Sequence, residues 1–204
     1  MIASVLRLSR SECTALKIKD AYSIHRVVYA LFPKIGEEAR DFLYADKGGD
    51  FNTRNILLLS KRPPVPPEIG IIDSKPIPAA FLSHECYAFA VRLNPTKRDK
   101  VSGNTVAIRG SKTTGQTQRD VLAEWFTQKT LNQGFAVEKA GLIVADVGVQ
   151  QFTKGGSVVT HGKATFIGKL YVTDRTLFVK SFEEGIGRAR GFGFGLLQIV
   201  PLKD

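Results

Sequence analysis

The sequence predicts an α+β chain of two tandem ferredoxin-like (βαββαβ) domains with antiparallel sheets. Three observations lead there. Short β-rich runs bounded by Gly, Pro and Asn recur through all 204 residues, the pattern of strands separated by turns. Two longer segments, beginning at Ala21 and Gln118, carry apolar residues at helical spacing. Each of these helices sits among strand-like runs in the same order, so the pattern of elements repeats without a residue-level repeat.

Ile2 to Leu8 is β-rich and partly alternating, a first strand. Ser9 to Lys19 is polar. Asp20 is placed to cap a helix in which Ile24, Val27, Val28, Leu31 and Phe32 form one apolar stripe, ended by Pro33 and Gly36. Asp41 to Ala45 and Asn55 to Ser60 read as strands, with a turn at Lys47-Gly-Gly-Asp50. Lys61-Arg-Pro-Pro-Val-Pro-Pro67 can be neither helix nor central strand, which degrades the second helix of the first unit. Glu68 to Ser83 is ambiguous, and Cys86 to Leu93 alternates as a strand that closes that unit.

Asn94-Pro95 breaks the chain. A short strand follows at Thr105 to Arg109, then a helix from Gln118 to Leu131 built on Val121, Leu122, Trp125 and Phe126, with Gly134 beyond its end. Phe135 to Val149 and Val158 to Val172 are strand-like, with turns at Lys154-Gly-Gly-Ser and His161-Gly-Lys163. Thr176 to Glu184 reads as a short helix, and Leu196 to Val200 as a last strand. The expected division is residues 1–93, a basic linker at 94–104, and residues 105–204.

Net charge is +10 with 43% hydrophobic residues, so the chain is basic without the composition of a disordered one. On a folded protein such a surplus points to nucleic acid before a membrane surface or an acidic protein. The cations cluster. From Arg92 to Arg119 they are Arg92, Lys97, Arg98, Lys100, Arg109, Lys112 and Arg119, against Asp99 alone. The segment reads as a linker, a phosphate-binding surface, or both. Lys154 and Lys163 offer a second contact along a hairpin. Cys13 and Cys86 give no disulfide framework, and the scattered His25, His84 and His161 suggest no metal centre, so neither metal nor cofactor is expected. The start lacks the features of a signal peptide, and apolar runs fall far short of the ~20 residues that span a bilayer, so a cytosolic protein is expected.

At 100° per residue Tyr22, His25 and Tyr29 lie together on one flank of the first helix's apolar stripe, with Arg26 just beyond. Residues three and four apart are neighbours on a helix, so Tyr22 and His25 can share a small site. Imidazole suits proton transfer near neutral pH, and a phenol donates a hydrogen bond without titrating. His84 and His161 have no spaced partners and read as structural or surface residues.

The other candidate is the loop Gly185-Ile-Gly-Arg-Ala-Arg-Gly-Phe-Gly-Phe-Gly195. Gly185, Gly187, Gly191, Gly193 and Gly195 allow tight turns and close approach. Arg188, Arg190 and free backbone N–H groups suit a phosphate. The loop precedes a strand rather than a helix, which excludes a dinucleotide fingerprint. Phe192 and Phe194 read as core plugs.

The pattern Gly-h-Gly-x5-Gly-h-Gly (h apolar) in this loop resembles the glycine-rich loop of the RAMP superfamily of CRISPR-associated RNA-binding proteins, which are built from ferredoxin-like (RRM-like) folds. Asp20-Ala-Tyr-Ser-Ile-His-Arg26 is similar to the Tyr-x-x-His-Arg element of the CasE family. Ala39-Arg-Asp-Phe-Leu43 resembles that family's entry to its second strand, and Arg92-Leu-Asn-Pro-Thr-Lys97 its Arg-x-Asn-Pro-x-Lys connection. On these elements the chain is identified as a member of the CasE family.

The resemblance implies a metal-independent endoribonuclease that cuts CRISPR precursor RNA at the base of each repeat hairpin. The upstream 2′-hydroxyl attacks the phosphate, leaving a 2′,3′-cyclic phosphate and a 5′-hydroxyl. His25 would be the general acid/base, with Tyr22 assisting. The RNA would be gripped by Arg26, Arg92, Lys97, Arg98, Lys100, Arg109, Lys112, Lys154, Lys163, Arg188 and Arg190, and the product hairpin kept within an effector complex. The competing reading is a non-catalytic RAMP subunit, which needs the charge and the glycine loop but no Tyr–His pair.

Overall fold

In the computed structural model, residues 1–33, 40–50, 52–110 and 115–202 are described. The first sheet is built from β1 (Ile2–Ser9), β2 (Phe42–Gly49), β3 (Thr53–Ser60) and β4 (Ile71–Pro76) in the order β2-β3-β1-β4. All its pairs are antiparallel. Helix α1 (Arg10–Ala15) follows β1, and α2 (Ala21–Ala30) makes the crossover to β2. The second sheet runs β11 (Gln198–Pro201), β5 (Cys86–Leu93), β10 (Ser157–Val172), β8 (Phe135–Val137), with β9 (Ile143–Lys154) also on β10. Its helices are α3 (Gln118–Leu131) and α4 (Arg175–Glu184), and β6 (Thr96–Arg98) pairs with β7 (Thr105–Ala107) as a separate hairpin. Both sheets have the 4-1-3-2 strand order of a ferredoxin-like unit. Among the described residues no helix is long and apolar enough to cross a membrane.

Four sequence expectations change. Cys86–Leu93 bonds to β10 and β11, so it opens the second unit instead of closing the first. The first unit's fourth strand is β4, which pairs with β1. The chain crosses between sheets around residues 77–85, and residues 94–104 start the β6–β7 hairpin inside the second unit rather than forming a linker. His161-Gly-Lys163 lies within β10, paired to Val149 and its neighbours, because the turn is made one step earlier. There Gly155 and Gly156 take φ of 57° and 80°, the positive pair that a two-residue hairpin turn requires. Finally, the strand expected from Phe135 to Val149 is broken by a 3-10 turn at Lys139–Gly141.

Helix α1 was not expected. Its signal is Ser9-Arg-Ser-Glu12, a capping box in which the Ser9 hydroxyl and Glu12 carboxylate each satisfy the other's backbone N–H. Between β3 and β4, Pro63, Pro64, Pro66 and Pro67 exclude a helix, and the Val65 N–H instead bonds the Leu31 carbonyl at 2.9 Å.

The seam between units explains why Phe42 to Ala45 reads as a continuous apolar run. Phe42 and Tyr44 face α2 in the first core, with Ile24, Val28, Leu31 and Phe32. Leu43 and Ala45, on the other face of the strand, pack against Phe182 of α4 and Leu196. A strand buried on both faces loses alternation. The second core is aromatic: Phe89, Phe126, Phe135, Phe166 and Phe178 are all buried in it.

Candidate active site at the seam

Helix α2 brings its apolar stripe to the first sheet and leaves its Tyr22–His25–Tyr29 flank at the seam. Its start is fixed by Asp20, whose carboxylate accepts from the Ser23 N–H at 2.8 Å while the Ser23 hydroxyl accepts from the Asp20 N–H at 2.9 Å. The rings of Tyr22 and His25 are stacked with centroids 5.6 Å apart and planes at 14°. Tyr29 is nearer still, its ring centroid 3.9 Å from that of His25.

The opposite wall comes from the glycine loop. His25 Nδ1 donates to the Gly191 carbonyl at 2.7 Å, and the Tyr44 hydroxyl donates to the same oxygen at 3.0 Å. A carbonyl only accepts, so Nδ1 carries the proton and the neutral ring leaves Nε2 as an open base. Phe192 stacks on His25 with centroids 5.0 Å apart, and Phe152 of β9 stacks on Tyr22 at 6.0 Å. Gln150 Nε2 donates to the Phe192 carbonyl at 3.1 Å and ties the loop to β9. Phe192 is therefore half-buried wall of the site, not the core plug expected from sequence; Phe194 is fully buried.

Burial pushes the His25 pKa below its ordinary value; the Gly191 carbonyl opposes this, and the charges of Lys154 and Arg40 add to the lowering. Burial likewise raises the Tyr44 phenol, keeping it a neutral donor. Behind Phe192, burial lowers the His161 pKa; its ring lies 5.5 Å from that of Phe192 and its Nε2 is buried without a hydrogen-bond partner.

The loop's shape is a clasp. The Ile186 N–H bonds the Gly195 carbonyl at 2.9 Å, and the Gly195 N–H bonds the Arg92 carbonyl at 2.8 Å. Arg190, expected at a phosphate, donates to the Glu184 carbonyl at the end of α4, and Arg188 donates to Thr105 Oγ1 at 2.7 Å. Arg92 and Lys163 share Asp146, at 3.0 and 2.9 Å. Arg26 is exposed, its guanidinium carbon 6.0 Å from the Tyr22 ring centroid. Lys97, Arg98, Lys100, Arg109 and Lys154 are exposed. Lys112 lies outside the described residues. The exposed His84 sets its ring edge-on to Tyr87. The sequence reading missed Tyr44, Gln150, Phe152 and Arg40, all of which meet α2 or the loop only through the fold.

A profile of the family described as CRISPR associated protein matches residues 1–201. The chain belongs to this family. It is 25% identical over 186 residues to the CRISPR system Cascade subunit CasE of Escherichia coli K12, covering 90% of this chain and 94% of that one. A structure of CRISPR endoribonuclease Cse3 bound to a 19 nt RNA superposes with a TM-score of 0.80 at 19% identity, covering 98% of this chain and 100% of the other. Thermus thermophilus Cse3, bound to an RNA representing a pre-cleavage complex, gives a TM-score of 0.75 at 20% identity and 98% coverage of both chains. The CasE resemblance read from Tyr22, His25 and the glycine loop holds over nearly the whole chain of this family member.

Proposed function

We propose that the chain is a metal-independent endoribonuclease that cuts CRISPR precursor RNA at the base of the repeat hairpin. The observation that carries this reading is the His25–Gly191 hydrogen bond, which fixes the imidazole at the seam with Nε2 open. Nε2 takes the proton of the 2′-hydroxyl, whose oxygen bonds to phosphorus as the bond to the 5′-oxygen breaks. The Tyr22 hydroxyl serves as donor beside it. The products are a 2′,3′-cyclic phosphate and a 5′-hydroxyl. The similarity to CasE and to RNA-bound Cse3 supports the substrate class.

The exposed Arg26, Lys97, Arg98, Lys100, Arg109 and Arg188, with Lys154 at the tip of the β9–β10 arm, hold the stem by phosphate and shape, since an A-form major groove admits little side-chain reading. Most of those contacts survive the cut, so the product hairpin stays bound. As in the Cascade complex named for its CasE relative, the chain then serves beside other subunits.

Incubation with end-labelled cognate repeat RNA in EDTA tests the reading. A single cut with a cyclic phosphate upstream and a 5′-hydroxyl downstream is expected, blocked by a single 2′-deoxy substitution at the cut. Binding without product would favour the non-catalytic subunit; a metal-dependent cut would overturn the mechanism. The pH profile follows from the lowered His25 pKa. A base with a depressed pKa is already neutral near pH 7, so the single-turnover rate is flat through neutrality and falls only as pH drops through a value below 6.5. A rate that instead falls as pH rises through that value would make His25 the acid.

A further inference from the structure

Arg40 lies two residues before the start of β2, with its guanidinium carbon 5.8 Å from the Phe42 ring centroid. Six described arginines are half-buried: Arg40, Arg54, Arg62, Arg92, Arg175 and Arg190. Five have oxygen partners. Arg54 pairs with Asp46, Arg62 with Asp41, Arg92 with Asp146 and Arg175 with Glu85, while Arg190 donates to the Glu184 carbonyl. Among the described residues Arg40 has neither ion pair nor hydrogen bond, and its Nε is buried without a partner. A guanidinium drawn out of water without an anion is costly, so its position calls for a ligand.

The surroundings say which. A side-chain carbon built on Gly191 would stand 3.1 Å from Arg40 Nη1 and 3.1 Å from Tyr29 Oη. A forked cationic donor and a phenol thus both close on the bare Cα of one glycine, whose carbonyl holds His25. Carboxylate and phosphoryl oxygens both suit a fork, and only a phosphoryl group belongs beside a base that acts on RNA. The contribution of Arg40 to lowering the His25 pKa agrees with this closeness.

We propose that Arg40 and Tyr29 form the subsite for the scissile phosphate, with Arg40 binding its non-bridging oxygens as negative charge builds on them. The identity of that phosphate rests on the nuclease reading; the subsite itself does not.

The test is binding, which needs no cleavage. The probes are two synthetic stem-loops of the cognate repeat ending at the cut, one with a 3′-phosphate and one with a 3′-hydroxyl. The wild-type chain is expected to prefer the phosphate form by roughly tenfold. Arg40→Gln should remove that preference while leaving the hydroxyl form within about twofold of wild type, Arg40→Lys should keep part of it, and Tyr29→Phe should narrow it. No preference in the wild type, a preference kept by Arg40→Gln, or equal weakening of both forms would each overturn the subsite. An Arg40-dependent preference in a chain that fails to cut would sink the nuclease reading alone. Normal cutting by Arg40→Gln with the preference intact would sink only the subsite.

Discussion

His25→Ala is expected to lower single-turnover cleavage of the repeat hairpin on the order of 10³-fold while leaving hairpin binding within a few fold. General acid–base groups contribute roughly 10²–10⁴-fold, and no other imidazole touches the site from its solvent side. His161 sits behind Phe192 with its pKa lowered by burial. Binding survives because the exposed cations other than Arg26 lie on other elements, and the substitution leaves Arg26 in place. The fold survives because the Gly191 carbonyl keeps its second donor, the Tyr44 hydroxyl at 3.0 Å, so the lost hydrogen bond costs only about 1 kcal/mol. The measurement pairs rates at saturating protein with affinity for a 2′-deoxy hairpin. His25→Asn sharpens it: its amide can still donate toward Gly191 but cannot take a proton, so it should fold like wild type and cut like the alanine variant. Wild-type rates in both variants would move the proton transfer to another group, with Tyr22 and Tyr29 first in line.

What the sequence made legible was whatever is local. Helix α2 announces itself through Asp20 and a stripe of apolar residues, and Tyr22 and His25 are neighbours by helix geometry alone. The other half of the site is not local. Gly191, Phe192, Phe152 and Tyr44 are brought to His25 by the seam between the sheets, and no spacing reveals that. The glycine loop could be recognised as purpose-built and its arginines suggested phosphate, but that it carries one carbonyl to one imidazole while Arg190 closes the end of α4 shows only in the fold. Alternation identified Cys86–Leu93 as a strand without saying which sheet it joins. Ile71–Pro76 stayed ambiguous because it is an edge strand with mostly exposed side chains, Asp73 and Lys75 among them, and edges lack an apolar pattern. Arg40 was visible only as one residue of a family-like segment; its lack of a partner is a property of the fold.

If the clasp positions His25, then breaking it should damage both stability and rate, and Gly195→Ala is the sharpest way to break it. Gly195 has φ +85°, and a methyl there would lie 2.6 Å from the Ile186 carbonyl oxygen and 3.0 Å from Arg190 Cγ. The close partner is backbone, so no rotamer relieves the contact. Relief requires separating Gly195 from Ile186, which breaks the 2.9 Å bond that closes the loop. A left-handed alanine costs about 1–2 kcal/mol by itself, and with the clash the loss should reach about 2–4 kcal/mol. For a chain of this size that lowers Tm by roughly 5–15 °C. Below the new melting range the rate should still fall, on the order of 10²-fold, because the loop that releases Ile186 also carries Gly191, and small displacements of a catalytic group are expensive. Gly187→Ala is the control. It has φ +80°, but its added carbon would meet nothing nearer than 3.8 Å, so it should lose only about 1–2 kcal/mol and keep its cutting rate. Calorimetry and single-turnover assays on the two variants separate strain from positioning: a Gly195→Ala chain that melts low yet cuts at the wild-type rate would show that His25 is held by α2 alone.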